Sequence, residues 1–203
     1  MINNQVNLIG IITSEFTYDH SVKGEDFYKF FLSSMRKSEK IDELPVIISS
    51  KIFDVTRDMR GYEVEVTGSF RSYDLRANGK HRVSLYVFTD YIRFTNDLDY
   101  NEVLIEGFIC TKPVLRTTPM GRQLTDVCIA VNRKFNKSDY IPVIFWSRNA
   151  IEVSNQPVGT QLKVRGRLQS RVYTKYIDDI PEERIAYEVS ASNLQVIHET
   201  AAV

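Results

Sequence analysis

The sequence predicts an all-β chain of two tandem five-stranded Greek-key barrels, each with one short helix after its third strand. Two observations carry this reading. The chain repeats itself: Asn4-Gln5-Val6-Asn7-Leu8-Ile9-Gly10 returns as Asn101-Glu102-Val103-Leu104-Ile105-Glu106-Gly107, at an offset of 97 residues. The same offset carries Gly24 onto Gly121, Arg36-Lys37 onto Arg133-Lys134 and Pro45-Val46-Ile47 onto Pro142-Val143-Ile144. At an offset of 98, Gly61–Gly68 meets Gly159–Gly166. A period near 100 residues is too long for a solenoid and fits a duplicated small domain. In both copies, apolar and aromatic runs of strand length are separated by turn residues.

The elements follow in order. In the first copy, Gln5–Thr13 and the aromatic run Phe27–Met35 read as strands, and Leu44–Ser49 as a short buried strand. Pro45 lies near the start of that strand, where a missing N–H is tolerable. Lys51–Arg60 places Ile52, Val55 and Met59 at helical spacing, with Gly61 able to end a helix. Tyr62–Tyr73 and Val83–Phe94 alternate as strands, and Asn78-Gly79 between them is the strongest hairpin signal in the chain. The second copy repeats the series as Val103–Cys110, Leu124–Asn132, Ile141–Trp146, a helical segment Ser147–Ser154, Gln161–Tyr173 and Ile185–Val196. Its last hairpin has a longer acidic loop, Lys175–Arg184, containing Pro181. One helix after strand three and a glycine opening strand four give the order of an OB-fold barrel. The expected domains are residues 1–96 and 101–197, held close by a minimal linker.

Composition excludes several classes. With 43% apolar and 26% charged residues the chain is an ordinary globular one, far from disorder. The formal net charge is zero, so no global basic field announces a polyanion. The second half, with 13 Lys/Arg against 11 Asp/Glu, is nonetheless the more basic. Cys110 and Cys128 lack metal-ligand spacing and read as buried reduced thiols. His20, His81 and His198 have no Cys or carboxylate partner at ligand spacing, and no Gly-rich phosphate loop or nucleophile elbow occurs. Asp178-Asp179 with Glu182-Glu183 reads as a solvated loop. The expectation is a binder without catalytic site, metal or cofactor. No run approaches the ~18 apolar residues that cross a bilayer, and no leader opens the chain, so a soluble cytoplasmic protein is expected.

Chemistry gathers in the second copy. Asn132-Arg133-Lys134-Phe135-Asn136-Lys137 leads through Tyr140 to Trp146, preceded by Arg116 and Arg122 and followed by Gly166-Arg167-Leu168-Gln169-Ser170-Arg171-Val172-Tyr173. At these residues the chain resembles the bacterial single-stranded DNA-binding proteins, almost throughout 101–197, including Ile129–Phe135 and Gly166–Arg171. The first half is only distantly similar, so the resemblance is to a two-barrel version. It implies that Phe135, Tyr140, Trp146 and Tyr173 stack on bases. Stacking on an aromatic contributes roughly 1–3 kcal/mol per base and tolerates any sequence. Arg116, Arg122, Arg133, Lys134, Lys137, Arg148, Arg165, Arg167 and Arg171 are the candidate phosphate contacts, which makes binding salt-dependent. The implied function is sequence-independent binding of single-stranded DNA in replication, recombination or repair, with RNA open on the same stacking chemistry. Four barrels in the family's usual assembly imply a homodimer here. The family's acidic tail, which recruits replication and repair proteins, has no counterpart in residues 197–203.

The first copy differs at the aromatic positions. Ser38 stands opposite Phe135, Glu43 opposite Tyr140, Ser49 opposite Trp146 and Leu75 opposite Tyr173. Tyr73 and Tyr86 are its remaining aromatic candidates, and Glu39, Asp42 and Glu43 add negative charge. The first barrel is therefore expected to bind DNA weakly or by another surface, and to serve chiefly in docking. Two rival readings are a primosome-type OB adaptor acting through protein–protein contacts, and an OB-based nuclease.

Overall fold

The computed structural model describes residues 3–77, 80–177 and 180–197. The first half forms β1 (Asn4–Ile12), β2 (Thr17–Val22), β3 (Glu25–Met35), β4 (Ile41–Ser49), β5 (Glu63–Ala77) and β6 (Lys80–Phe94). The second forms β7 (Tyr100–Ile109), β8 (Val114–Thr117), β9 (Gln123–Arg133), β10 (Lys137–Trp146), α1 (Ser147–Ser154), β11 (Gln161–Ile177) and β12 (Ile180–Ile197). Five strands close each half in the order β1-β3-β4-β6-β5-β1 and β7-β9-β10-β12-β11-β7, with β4–β6 and β10–β12 parallel and the rest antiparallel. This is the OB barrel, and closure leaves no long open edge. Alternation along the strands fills each interior: Val6, Leu8, Val64, Val66 and Phe70 in one, Val103, Ile105, Leu162, Val164 and Leu168 in the other, all essentially buried.

Three local readings are corrected. Lys51–Arg60 is a run of turns, not a helix. Asp54 accepts hydrogen bonds from the Thr56 N–H (3.1 Å) and hydroxyl (2.6 Å), and Asp58 accepts from the Arg60 N–H (3.0 Å). Such local bonds offer the backbone an alternative to the helical ladder. Val55 and Met59 still pack on the core, so their spacing marked burial without marking a helix. The second copy has no aspartate in Ser147–Ser154, and there α1 forms, burying Ala150 and Val153. β2 and β8 are additional short strands beside β3 and β9; Thr17–Val22 is too polar to signal a strand, but Lys23 (φ +51°) and Gly24 (φ +77°) supply the tight hairpin turn it needs. His20 accordingly sits on β2, stacked on Phe27 at 4.9 Å. Most of the expected loop Lys175–Arg184 is strand: β11 and β12 pair as far as Ile177 and Ile180, with Lys175 opposite Glu182. Asn78-Gly79, Asp178-Asp179 and His198 lie outside the described residues.

The two cysteines are free thiols, half-buried where full burial was expected. Cys110 Sγ donates to the Cys128 carbonyl at 3.1 Å. Burial, then the neighbouring Cys110 thiol, pushes Cys128 up to about 12, which keeps it protonated and a poor nucleophile.

β1 and β7 join the barrels by antiparallel pairing in which Val6 faces its own repeat counterpart, Val103. A pseudo-twofold axis therefore runs between those two residues, and all twelve strands form one sheet. Two carboxylates related by the same axis tie the barrels again. Asp42, with no exposed surface, receives Arg36 on both oxygens (2.6 Å each) and the Ser170 N–H (2.7 Å) and hydroxyl (3.0 Å) of the other barrel. Its counterpart Asp139, also fully buried, receives the Ser72 N–H at 2.8 Å and lies 3.2 Å from Arg133. Asp42 is thus no part of an exposed acidic face, as the sequence suggested; its charge is consumed inside the joint. The two clamps differ in alignment, because Arg133 Nε and Asp139 Oδ2 make no aligned hydrogen bond. Burial pushes the Asp42 carboxyl up, but the Arg36 and Ser170 donors outweigh it and hold the group below the usual aspartate range. At Asp139 burial wins over Ser72 and Arg133, and the group is raised.

Candidate nucleic-acid interface

Trp146 closes β10 in extended geometry (φ −122°, ψ 148°) and is half-buried at the mouth of a cleft of about 400 Å³. Arg122, Arg167 and Arg171 line this cleft from the same barrel, and Arg36 and Lys40 reach into it from the first. Arg36 and Arg167 share Asp42, and Arg171 lies 3.5 Å from Glu188. Arg122 and Lys40 have no ion pair among the described residues. Burial, followed by the nearby Arg36 charge, pushes Arg167 below the usual guanidinium value. The cleft therefore holds more positive charge than its carboxylates offset, beside a flat ring.

Tyr173 lines a second cleft, to which Pro45 and its repeat counterpart Pro142 both contribute, as a cleft on the pseudo-twofold axis requires. Phe31 and Tyr86 from the first barrel and Tyr187 from the second share it. The Arg171 guanidinium carbon lies 5.8 Å from the Tyr173 ring centroid, so this ring continues the Trp146 cleft.

Phe135 is elsewhere. It projects from the β9–β10 turn, 93% exposed, with φ +64°. β10 has 10 residues, which at about 3.3 Å each puts roughly 30 Å between its ends. Phe135 and Trp146 cannot flank one base. Phe135 instead lines a third cleft with Arg133, Lys134, Lys137 and, from the first barrel, Ser69 and Arg71. Tyr140 stands between the two ends, 51% exposed on the outer face of β10, with its N–H donating to Ser72 Oγ at 2.8 Å.

The remaining expected cations divide. Lys134, Lys137 and Arg148 carry no ion pair among the described residues, and Arg148 lines a shallow groove beside Arg122. Arg116 pairs with Asp126 and Arg165 with Glu102, and neither lines the three clefts above. Arg133 is engaged with Asp139 in the barrel joint. Sequence reasoning missed Arg36 and Lys40, which reach a cleft on the opposite barrel, and Arg71, which meets the opposite barrel's hairpin. The repeated Arg-Lys pair at 36–37 and 133–134 was the available signal.

The sequence profile described as Single-strand binding protein family matches residues 100–197. Single-stranded DNA-binding protein 2 of Streptococcus agalactiae serotype V is 30% identical over 109 residues, spanning 50% of this chain and 80% of that protein. The chain belongs to the single-strand binding protein family. A single-stranded DNA-binding protein of Wolinella succinogenes is likewise 30% identical, over 113 residues and 67% of its length. The family profile falls on the second barrel, the one that holds Trp146. Fold likeness extends to both barrels: the wild-type single-stranded DNA binding protein from Thermus aquaticus matches with a TM-score of 0.74 at 21% identity, covering 98% of this chain and 95% of that one. No helix among the described residues is long and apolar enough to cross a membrane.

Proposed function

We propose that the protein binds single-stranded DNA without sequence preference, chiefly at the Trp146 cleft of the second barrel, in replication, recombination or repair. The observation that carries this is the placement of the chain's single tryptophan among five cationic side chains drawn from both barrels. The indole face accepts any base, and the guanidinium and ammonium groups take successive phosphates. Tyr173 extends the stacking surface toward the axis. In this reading Arg165 and Arg167 act first in fixing strands and barrels, while Arg122 and Arg171 meet the nucleic acid. Binding, not catalysis, is the activity, and the chain works as a cytoplasmic homodimer. The family membership and the cationic tryptophan cleft favour this over an adaptor that acts through proteins alone.

Titration with a dT oligomer at low salt quenches the fluorescence of Trp146. Absence of both quenching and a mobility shift at micromolar protein would overturn the proposal. About four neutralised phosphates give a slope near −3 for log K against log salt, measurable by anisotropy across a salt series; a slope near zero removes the cations from the site. Competition by an oligo-U of equal length decides whether RNA shares the cleft. Static light scattering checks the homodimer, which a monomer mass would exclude.

A further inference from the structure

We propose that the first barrel carries a second single-strand cleft, completed in trans by the β9–β10 hairpin of the second barrel. This rests on the single-stranded DNA reading above and extends it to a surface from which the sequence predicts little binding.

The pseudo-twofold axis supplies the first argument. Arg36 and Lys40, which reach from the first barrel into the Trp146 cleft, map at an offset of 97 onto Arg133 and Lys137. Those two residues line the cleft with Ser69 and Arg71 of the first barrel. Each barrel thus has a groove whose outer lip is the other barrel's hairpin. In the first groove the wall position of Trp146 is taken by Ser49, which suggested that stacking is lost there. But the hairpin that forms its lip carries Phe135, where the hairpin over the Trp146 groove carries Ser38. Each groove therefore keeps one aromatic, moved from the wall in one to the lip in the other.

The chemistry of the lip fits a strand of nucleic acid. Phe135 is 93% exposed and held at φ +64°, a conformation costly for a bulky side chain, and the fold gains little from a ring held in solvent. Lys134 and Lys137 beside it have no ion pair among the described residues. On the barrel side, Arg71 stacks its guanidinium 4.0 Å from the centroid of Phe88 and donates Nε–H to Ser69 Oγ at 2.9 Å, which fixes a flat cation facing the cleft. Asp90 is the exposed carboxylate on the lining, outnumbered by these cations. Beyond Arg71, the first barrel has Tyr73 and Tyr86 in a T-shaped pair at 6.0 Å, where strand register gives the second barrel Arg171 and Glu188. An ion pair on one barrel is an aromatic pair on the other, and Tyr86 of that pair lines the cleft on the axis.

The test is a count of short oligomers. A dT oligomer of about eight nucleotides, within the ~4–16 an OB fold occupies, binds two per chain by calorimetry and sedimentation, one of them quenching Trp146. Phe135→Ala and Arg71→Ala each reduce the count to one, and the retained oligomer still quenches. The double variant also retains one oligomer, because both side chains serve the same one. Lys134→Glu, at an exposed turn, gives the same loss without touching the core. One oligomer per chain with the wild-type protein, accompanied by quenching, overturns the second cleft and leaves the Trp146 reading standing. Loss of quenching in Phe135→Ala also overturns it, by assigning Phe135 to the Trp146 cleft. No binding and no quenching with wild-type protein defeats both.

Discussion

Asp42→Asn lowers the melting temperature by about 6–20 °C, whereas Asp139→Asn shifts it by less than about 4 °C. The carboxylate of Asp42 is fully buried, accepts both Arg36 hydrogen bonds and receives the Ser170 amide of the other barrel. Neutralising one partner of a buried pair leaves the other charge stranded, which typically costs about 3–5 kcal/mol, and each kcal/mol moves the melting point of a chain this size by about 2–4 °C. Asp139 has the same burial but no aligned partner in Arg133, and burial has already raised its pKa. An amide there keeps an acceptor for Ser72 and removes a charge that the site stabilises poorly. The pH dependence has opposite signs at the two sites. Asp42 is lowered on folding, so its stabilisation is complete above the ordinary aspartate value of about 3.9 and is lost as pH falls through its lower folded value. Asp139 is raised, so its favourable contribution belongs to acid conditions and disappears as pH rises through the folded value. Thermal denaturation of both variants from pH 3 to pH 8 measures this; equal shifts at neutral pH would show that the two clamps are equivalent.

Trp146→Ala weakens binding to a labelled dT oligomer by about 1–3 kcal/mol, or roughly 5- to 150-fold in Kd. The ring is the single flat wall among Arg122, Arg167, Arg171, Arg36 and Lys40, so no neighbour replaces it. Trp146→Phe keeps a smaller ring in place and recovers most of the affinity. Because Trp146 is half-buried beside α1, a melting curve accompanies each variant and separates lost stacking from lost structure. Salt separates the two contributions further. Losing the ring leaves the salt slope unchanged, since no phosphate contact has gone, whereas Arg122→Ala reduces it by roughly 0.7. A Trp146→Ala variant that bound as tightly as wild type would move the site off this cleft.

The barrels were legible in the sequence because closure depends on alternating apolar residues, and Val6, Leu8, Val64 and Val66 recur as Val103, Ile105, Leu162 and Val164. The helix Ser147–Ser154 was legible to the residue. Its counterpart was not, because Val55 and Met59 have helical spacing while Asp54 and Asp58 tie up the N–H groups of Thr56 and Arg60. Local hydrogen bonds decided what periodicity could not. The site was half legible. Trp146, Arg122 and Arg171 line one cleft, and Tyr173 lies beside Arg171 in the next. Phe135 does not join them, because residues close in sequence at the two ends of one strand are far apart in space. Asp42 was misread for the converse reason: its partner Ser170 is 128 residues away, across a joint between domains that no local pattern reveals.

The β1–β7 pairing has a consequence for how the two halves vary. In an assembly of two separate identical chains, every substitution would appear on both sides of the axis, and the joint would come apart on dilution. Here the short segment 95–99 makes the joint intramolecular, so its effective concentration is fixed by the tether and not by the cell. Val6 and Val103 meet on the axis yet are encoded separately. One side can hold Trp146 while the other holds Ser49, and one clamp can tighten while the other stays loose. Covalent linkage turns an enforced symmetry into an optional one.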